Sequence, residues 1–250
     1  MSERERALLM GPPGSGKSYQ LVRVYLYLMR RNIPTFVVDL EDKLGAMLAS
    51  AGATTPQNLY SVIEWDEIKG AVADIETKVK PGNWILFDRM DLTWPRVRNW
   101  YSLAKYEKEL AEIKVEKAKK MTKAAMFTPV FTQGDWEPIN EQYDSFALKL
   151  LYKFRCHVLM TCGIRGVDEG SPQDIFGHLG VVPRGQKELG HQPHSVFLLS
   201  QKKSGGNITW HITTAKDDMP SPNGGGREYF DNEQLFDFSL QYFQAMAGWD

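Results

Sequence analysis

One octapeptide constrains this chain more than any other feature. It runs from Gly11 to Ser18 and matches the pattern G-x-x-x-x-G-K-[ST] at every fixed position. An apolar run at residues 7–10 predicts a buried strand before it, and residues 19–28 predict a helix after it. A strand, a glycine-rich loop and a helix in this order form the setting in which the pattern binds the phosphates of a nucleoside triphosphate.

The backbone of this loop explains the expected chemistry. Glycines let successive N–H groups point at phosphate oxygens, and the following helix adds the positive end of its dipole. Lys17 is then expected to reach the β- and γ-phosphates, and the Ser18 hydroxyl to ligate Mg²⁺. A chance Gly/Pro turn that contains Lys-Ser is the alternative interpretation. The predicted nucleotide-binding residues are Gly11, Pro12, Pro13, Gly14, Ser15, Gly16, Lys17, Ser18 and Tyr19.

A second polar position follows from the strand pattern. Residues 84–88, Trp-Ile-Leu-Phe-Asp, predict a buried strand that ends in an acid. A phosphate-binding loop needs such an acid to position Mg²⁺. We therefore expect Asp88 to join Ser18 in a metal site, although a strand-terminal aspartate can also simply cap a turn.

The sequence identifies the base that activates the attacking water less directly than it identifies the metal-binding acid. Arg89 follows Asp88, and an arginine cannot accept a proton at neutral pH, so the base must come from elsewhere. Glu41, just past a predicted strand at residues 35–39, and Asp91 are the candidates. The end of that strand is expected to open on the same side as the phosphate loop, so Glu41 would face the loop, and Asp91 stays open as the competing candidate.

Alternating strands and helices predict an α/β fold with a mostly parallel central sheet flanked by helices. Further core strands are expected at residues 157–161 and 195–199. The latter is predicted to pair with an alternating strand at residues 208–214, forming a C-terminal antiparallel edge hairpin. We expect residues 1–250 to form a single domain with a charged helical insertion at about residues 102–128.

Residue composition and periodicity predict three further helices and a loop. Lys, Glu and Ala dominate residues 102–125, which predicts a solvated helix, or alternatively a basic stripe for a phosphate backbone. A loop at residues 129–138 and an amphipathic helix at residues 141–153 should follow. Residues 232–249 predict a closing amphipathic helix packed on the sheet.

Composition restricts the class of protein. The hydrophobic fraction of 42% supports a sizeable core, and the net charge of -1 argues against a uniformly basic nucleic-acid binder, though not against a local basic groove. No apolar run approaches the roughly 18 residues that span a bilayer, so a cytoplasmic protein with no membrane partner is expected. Cys156 and Cys162 are expected to be reduced thiols without a metal role.

Taken together, these segments resemble the RecA-like P-loop ATPases, most closely the small phage-encoded members proposed to act in DNA recombination and single-strand annealing. Residues 37–41, Val-Val-Asp-Leu-Glu, are similar to the strand end of that family whose glutamate activates water. The resemblance implies a Mg²⁺-dependent ATPase that binds ATP or ADP at the edge of a subunit. It further implies a homo-oligomeric ring or filament that acts on single-stranded DNA, in the host cytoplasm if the chain is phage-encoded.

The resemblance also assigns roles to later residues. Thr161 lies where the family senses the γ-phosphate, and Lys216 matches a lysine that reaches the γ-phosphate of a neighbouring subunit. Residues 166–192 correspond to a mobile loop that contacts DNA. The predicted catalytic residues are Lys17, Glu41, Asp88, Thr161 and Lys216. The predicted cations for DNA are Arg165, Arg184, Lys187, Lys202 and Lys203. Phe176 or Trp136 could stack on bases, but ordinary packing in a loop or in the core is the favoured interpretation of each.

Two other functions stay open. The chain could be a phage assembly, packaging or partner-loading ATPase, with residues 102–125 as an arm that docks on another protein. A small-molecule kinase is less favoured, because that fold covers the phosphates with an arginine-rich lid. No compact arginine cluster follows the strand at residues 84–88, and Arg96 with Arg98 comes nearest to forming one.

Overall fold

The computed structural model describes residues 4–53, 56–120, 130–167, 176–219 and 230–244. The strands are β1 (Arg6–Met10), β2 (Thr35–Asp39), β3 (Leu59–Ser61), β4 (Trp84–Asp88), β5 (His157–Cys162), β6 (Ile164–Gly166), β7 (Val181–Pro183), β8 (Ser195–Ser204), β9 (Asn207–Asp217) and β10 (Glu233–Gln234). The α-helices are α1 (Lys17–Arg30), α2 (Leu44–Ser50), α3 (Trp65–Lys78), α4 (Thr93–Tyr106), α5 (Leu110–Lys120) and α6 (Gln133–Leu148).

Eight strands form one sheet in the order β10-β9-β8-β1-β5-β4-β2-β3. Neighbours from β8 to β3 run parallel, whereas β8 pairs antiparallel with β9, and β9 with β10. Strands β6 and β7 form a separate antiparallel ribbon. The predicted α/β class, the mostly parallel sheet and the antiparallel hairpin are confirmed.

The central strands are buried on both faces, as expected for parallel strands covered by helices. Every residue of β2, β4 and β5 is buried. Side chains alternate between two core clusters: Ile85 and Phe87 pack with α3 and α6, whereas Trp84 and Leu86 pack with α1 and the C-terminal segment. This two-sided packing leaves the ends of the strands as the places where polar groups can gather.

The strand register brings four strand ends to the same side of the sheet. Asp39 at the end of β2 pairs with Asp88 at the end of β4, and Met10 at the end of β1 pairs with Cys162 at the end of β5. We call this side the carboxyl edge and the opposite side the amino edge. In open α/β sheets, ligands bind outside the carboxyl ends of the strands.

The region between β4 and β5 differs from the sequence prediction. Two helices, α4 and α5, replace the single charged helix expected at residues 102–125. The break occurs at Glu107, which has a left-handed backbone with φ 55°. The Lys/Glu-rich pattern indicates helix but contains no glycine or proline to mark this break. Residues 121–129 lie outside the described chain.

Helix α6 begins earlier than predicted. Pro138 indicated a loop at residues 129–138, but the helix starts at Gln133 and includes this proline. Thr132 and Asp135 form a reciprocal capping box at its start, and the buried Asp135 carboxylate also accepts a hydrogen bond from the Tyr101 hydroxyl at 2.8 Å. This network outweighs the loss of one helical hydrogen bond at the proline. A wide π-type turn at Lys149–Lys153 ends the segment.

The C-terminal segment is also not one helix. Residues 233–234 form β10, and a π-type turn spans Ser239–Gln244. The predicted packing on the sheet is nevertheless confirmed for the described part, since Phe238, Tyr242 and Phe243 are buried. The predicted helix failed at its start because the backbone pairs with β9 instead. Residues 245–249 lie outside the described chain.

Candidate functional site

The glycine-rich loop joins β1 to α1 at the carboxyl edge. Gly16 has a left-handed backbone with φ 89°, and a Cβ atom added there would lie 3.2 Å from Cδ1 of Trp210. A Cβ atom added to Gly11 would lie 2.4 Å from the carbonyl oxygen of Leu199. The loop therefore needs glycine at both positions, one for its turn and one for its close approach to β8.

Lys17 folds back over this loop. Its Nζ donates to the carbonyl oxygens of Gly11 at 2.7 Å and Pro12 at 2.9 Å, and lies 3.3 Å from Oγ of Ser15. Burial lowers the pKa of Lys17, and the positive charge of Arg89 lowers it further. A phosphate group placed in the loop would relieve both effects.

Ser18, Asp88 and Thr161 form a hydrogen-bonded cluster across α1, β4 and β5. The Ser18 hydroxyl donates to Oδ2 of Asp88 at 2.9 Å, and the Thr161 hydroxyl donates to Oδ1 at 2.5 Å. Burial raises the pKa of Asp88, while the hydrogen bond from Thr161 opposes that shift. The three residues predicted for metal binding and phosphate sensing thus lie together.

This cluster fits a Mg²⁺ ion. Magnesium binds through one or two carboxylates, hydroxyls, water and substrate phosphates, and a buried carboxylate beside a serine hydroxyl provides hard oxygen ligands of that kind. Asp88 is fully buried, so a cation would also offset its desolvation. Within the described residues, no group of three or more His, Cys, Asp or Glu side chains could hold a metal ion.

Asp39 holds the backbone that presents Glu41. Its carboxylate accepts hydrogen bonds from the backbone N–H groups of Glu41 at 3.0 Å, Lys43 at 2.7 Å and Leu44 at 2.6 Å. Asp39 is fully buried and therefore serves as an anchor for the loop between β2 and α2.

Glu41 is paired with two cations. Its carboxylate accepts from Nζ of Lys43 and from Nη1 of Arg89. Nζ of Lys43 also lies 3.4 Å from Oδ2 of Asp88, so this lysine connects the two carboxylates. Burial acts to lower the pKa of Lys43, but the hydrogen bond to Glu41 and the charge of Asp88 outweigh it and raise the pKa.

Asp91, the competing base candidate, is held differently. Its fully buried carboxylate accepts from Nε of Arg89 at 2.9 Å, from Nη2 of Arg89 at 3.1 Å and from Nε of Arg184 at 2.9 Å. It does not line the cavity beside the loop, whereas Glu41 does. The geometry favours Glu41 as the carboxylate that a water molecule in the cavity could reach.

A cavity of about 910 Å³ opens beside the loop. One wall is polar and charged. Its residues include Lys17, Ser18, Glu41, Lys43 and Arg89. The other wall is apolar and aromatic. Its residues include Tyr19, Met47, Ile208, Trp210 and Phe236. A ligand with a charged end and a flat apolar end would complement both walls.

The β8–β9 hairpin contacts the glycine-rich loop directly. Nε1 of Trp210 donates to the carbonyl oxygen of Gly14 at 3.2 Å, and Trp210 pairs with Gln201 across the hairpin. Trp210 is 41% exposed, and Phe236 nearby is 64% exposed. The hairpin therefore fixes the loop on one side and presents apolar surface to the cavity on the other.

Lys216 lies away from this cavity. It pairs with Val196 near the start of β8, at the amino edge, and its Nζ donates to the carbonyl oxygens of His191 at 3.1 Å and Pro193 at 2.8 Å. Within one chain it cannot reach the phosphate loop. Its predicted role toward a neighbouring subunit stays a prediction.

The predicted stacking residues are not free platforms. Phe176 is buried and packs against Gly190, in agreement with the favoured interpretation of ordinary packing. Trp136 is half-buried and contacts Trp94 and Phe131. Both residues belong to the packed interior or its margin. Residues 168–175 of the predicted DNA loop lie outside the described chain.

Sequence reasoning missed several residues of the site, among them Lys43, Arg89 and Trp210. Lys43 and Arg89 lie two and one positions from the predicted acids Glu41 and Asp88, so proximity in sequence could have indicated them. The contact of Trp210 with the loop depends on the register of the hairpin, which the sequence does not reveal.

Comparisons with known proteins do not assign a family. No model of a known protein family matches the chain, and no curated protein matches it. In the described parts of the chain, no helix combines the length and apolar character needed to cross a membrane.

Proposed function

We propose that this protein is a Mg²⁺-dependent, RecA-like ATPase that works as a homo-oligomer on single-stranded DNA. It would act in recombination or strand annealing, in the cytoplasm, which is that of the host cell if the chain is phage-encoded. One observation carries the proposal. The lysine and serine of the glycine-rich loop converge with Asp88 at the carboxyl edge, where Ser18 Oγ lies 2.9 Å from Asp88 Oδ2 beside a cavity of about 910 Å³.

The roles of the residues follow from their chemistry. Lys17 would exchange its carbonyl partners for the β- and γ-phosphates, and Ser18 with Asp88 would hold Mg²⁺. The ion supplies charge neutralisation on the β- and γ-oxygens when it is bound. Thr161 would orient Asp88, and Glu41 would accept a proton from the attacking water.

The aromatic wall of the cavity supports a nucleotide rather than an inorganic phosphate. Tyr19, Trp210 and Phe236 are each between 41% and 64% exposed, although large aromatic side chains normally bury their rings. A nucleobase that stacks on these rings would cover them. A neighbouring subunit of an oligomer that packs against the cavity would bury these rings further.

The distribution of cations supports a polyanionic partner at the carboxyl edge. The ribbon β6–β7 follows directly from β5, and the far end of β8 extends past the glycine-rich loop. Exposed cations are found on or just after these elements: Arg165, Arg184, Lys187, Lys202 and Lys203. A single strand bound there would lie close to the nucleotide, so hydrolysis could change the grip on DNA.

A second candidate function is a partner-loading or assembly ATPase. The observation that favours it is the exposure of apolar side chains on the helical insertion. Leu103 on α4 is 43% exposed and Val115 on α5 is 52% exposed. Such residues suit contact with another protein.

ATP hydrolysis measured with and without single-stranded DNA separates these functions. The proposed function predicts hydrolysis that requires Mg²⁺ and increases several-fold with single-stranded DNA. Replacing Lys202 and Lys203 together by alanine should remove most of the increase, whereas replacing Leu103 and Val115 by serine should not. A rate of hydrolysis that single-stranded DNA does not change would favour the partner-loading function. Absence of hydrolysis under all conditions would contradict both proposed functions.

A further inference from the structure

Arg89 has an unusual backbone for its residue type. It follows Asp88 at the carboxyl edge with φ 70° and ψ 55°, in the left-handed region that residues with a Cβ atom avoid. Its N–H donates to Oγ1 of Thr161 at 2.9 Å, so the strained backbone is joined to the Asp88 cluster. Strain of this kind persists at functional sites when the surroundings hold it in place.

The side chain of Arg89 has one fixed partner and one exchangeable partner. Asp91 is fully buried and is also held by Arg184, so it serves as an anchor. Glu41 lies on the cavity surface and is also bound by Lys43. Because Glu41 retains Lys43 when Arg89 leaves, the Arg89–Glu41 pair can open without isolating a charge.

The position of Arg89 also suits an anion. Its guanidinium lines the same cavity wall as Lys17 and Ser18. The positive charges of Arg89 and Lys17 therefore lie on the same cavity and repel each other. A bound polyanion would stabilise this arrangement. Guanidinium groups bind phosphate oxygens in a bidentate manner, and a γ-phosphate offers more charge than one carboxylate.

We propose that Arg89 is a catalytic residue that binds the γ-phosphate and that holds Glu41 by an ion pair until a triphosphate arrives. The inference rests on the proposed ATPase function. A triphosphate would draw the guanidinium from Glu41, while a diphosphate, which lacks the γ-phosphate, would leave the pair intact. Arg89 thereby couples the presence of the γ-phosphate to the release of Glu41 from one of its two cations, while Lys43 stays bound.

The chemical step that this release permits is hydrolysis of the β–γ phosphoanhydride. The oxygen of a water molecule bonds to the γ-phosphorus, and the bond from that phosphorus to the bridging oxygen breaks, with its electron pair leaving on the diphosphate. The water proton passes to the Glu41 carboxylate and then to solvent. Arg89 stabilises the negative charge on the γ-phosphate oxygens during this step.

The test compares the affinities for a non-hydrolysable ATP analogue and for ADP, both with Mg²⁺, by isothermal titration calorimetry. Arg89→Asn is the main variant, because asparagine tolerates a left-handed backbone. We expect the affinity for the analogue to fall about tenfold, and that for ADP to change by less than about twofold. Arg155→Asn is the matched control, since Arg155 is exposed just before β5 at the amino edge; it should change neither affinity.

A second variant guards against misfolding. Arg89→Asn leaves the buried Asp91 with one cation fewer, so Arg89→Asn/Asp91→Asn removes both charges and should show the same selective loss. Equal losses for both nucleotides, or an unchanged ratio of affinities, would overturn the role of Arg89 while leaving the ATPase proposal standing. A wild-type protein that binds neither nucleotide would overturn both.

Discussion

The two edges of the sheet use polar side chains in different ways. At the amino edge, several polar groups bond to the backbone: Nη1 of Arg4 donates to the carbonyl oxygen of Phe154 at 3.0 Å, and Nδ1 of His157 accepts from the N–H of Glu5 at 3.0 Å. At the carboxyl edge, many polar groups bond to other side chains, as in the pair of Ser18 and Asp88. Backbone partners are fixed by the fold, whereas side-chain partners can be exchanged for a ligand.

Lys17 departs from this pattern at the carboxyl edge, as Asp39 does, because its partners include backbone carbonyls. Lys17→Ala should weaken binding of a non-hydrolysable ATP analogue by about 100-fold or more, or about 2.7 kcal/mol. The reason is the loss of the main cation at the β- and γ-phosphates. Calorimetric titration checks this, with Lys153→Ala, an exposed lysine just before β5, as the matched control. Equal binding by wild type and Lys17→Ala would show that the two edges do not differ in function.

Asp88→Asn should separate function from stability. We expect hydrolysis to fall by about 100-fold or more, because an amide is a poor ligand for Mg²⁺. Burial raises the pKa of Asp88, so removing the charge should leave the thermal unfolding midpoint unchanged or higher. Steady-state turnover and thermal unfolding measure the two effects. A large fall in the thermal unfolding midpoint would show that Asp88 mainly stabilises the fold, as the polar groups of the amino edge do.

Glu41→Gln should retain binding of the ATP analogue while reducing turnover by roughly 100-fold, the usual contribution of a general base. The amide preserves the shape of the side chain but cannot accept the proton. Turnover and binding are compared on the same preparation. Full activity would reassign the base, most directly to Asp91, despite its two arginine partners.

The amino edge should determine the response to acid. Burial lowers the pKa of His157 to about 4 from its ordinary value of 6.5. Between these values the unfolded chain binds more protons, so stability is complete above pH 6.5 and is lost as the pH falls toward 4. The loss attributable to His157 should be on the order of 3 kcal/mol.

Urea unfolding at several pH values measures this dependence. His157→Gln removes the titrating group but retains an acceptor, and should flatten the curve. Burial also lowers the pKa of His194 to about 4, so part of the dependence should remain in that variant. An unchanged curve would show that His157 is not held neutral by the fold.

Lys216→Ala should have the smallest effect. Its hydrogen bonds to two carbonyl oxygens at the amino edge predict a loss of about 1 kcal/mol in the free energy of unfolding. Binding of the ATP analogue should be unchanged. A marked fall in turnover that appears only at protein concentrations where the chain oligomerises would support the predicted role of Lys216 toward a neighbouring subunit.

The sequence predicted the carboxyl edge better than its surroundings. Buried strands such as β4 are short apolar runs that end in an acid, so both the strand and the position of Asp88 can be inferred locally. The start of α6 could not, because Pro138 signals a loop and the capping box that overrides it gains strength from Tyr101 on another helix. Apart from Tyr19, which directly follows the glycine-rich loop, the aromatic wall was missed for a similar reason, since it depends on pairing between distant segments.

Magnesium-dependent binding of a nucleoside triphosphate tests the central claim most directly. Calorimetric titration of the wild-type chain with a non-hydrolysable ATP analogue should give one site per chain. Affinity should be about tenfold or more higher with Mg²⁺ than with a chelator, and Ser18→Ala should remove most of that difference. Absence of binding would contradict the assignment of the glycine-rich loop and Asp88 to one nucleotide site. So would an affinity that changes neither on removal of Mg²⁺ nor in Ser18→Ala.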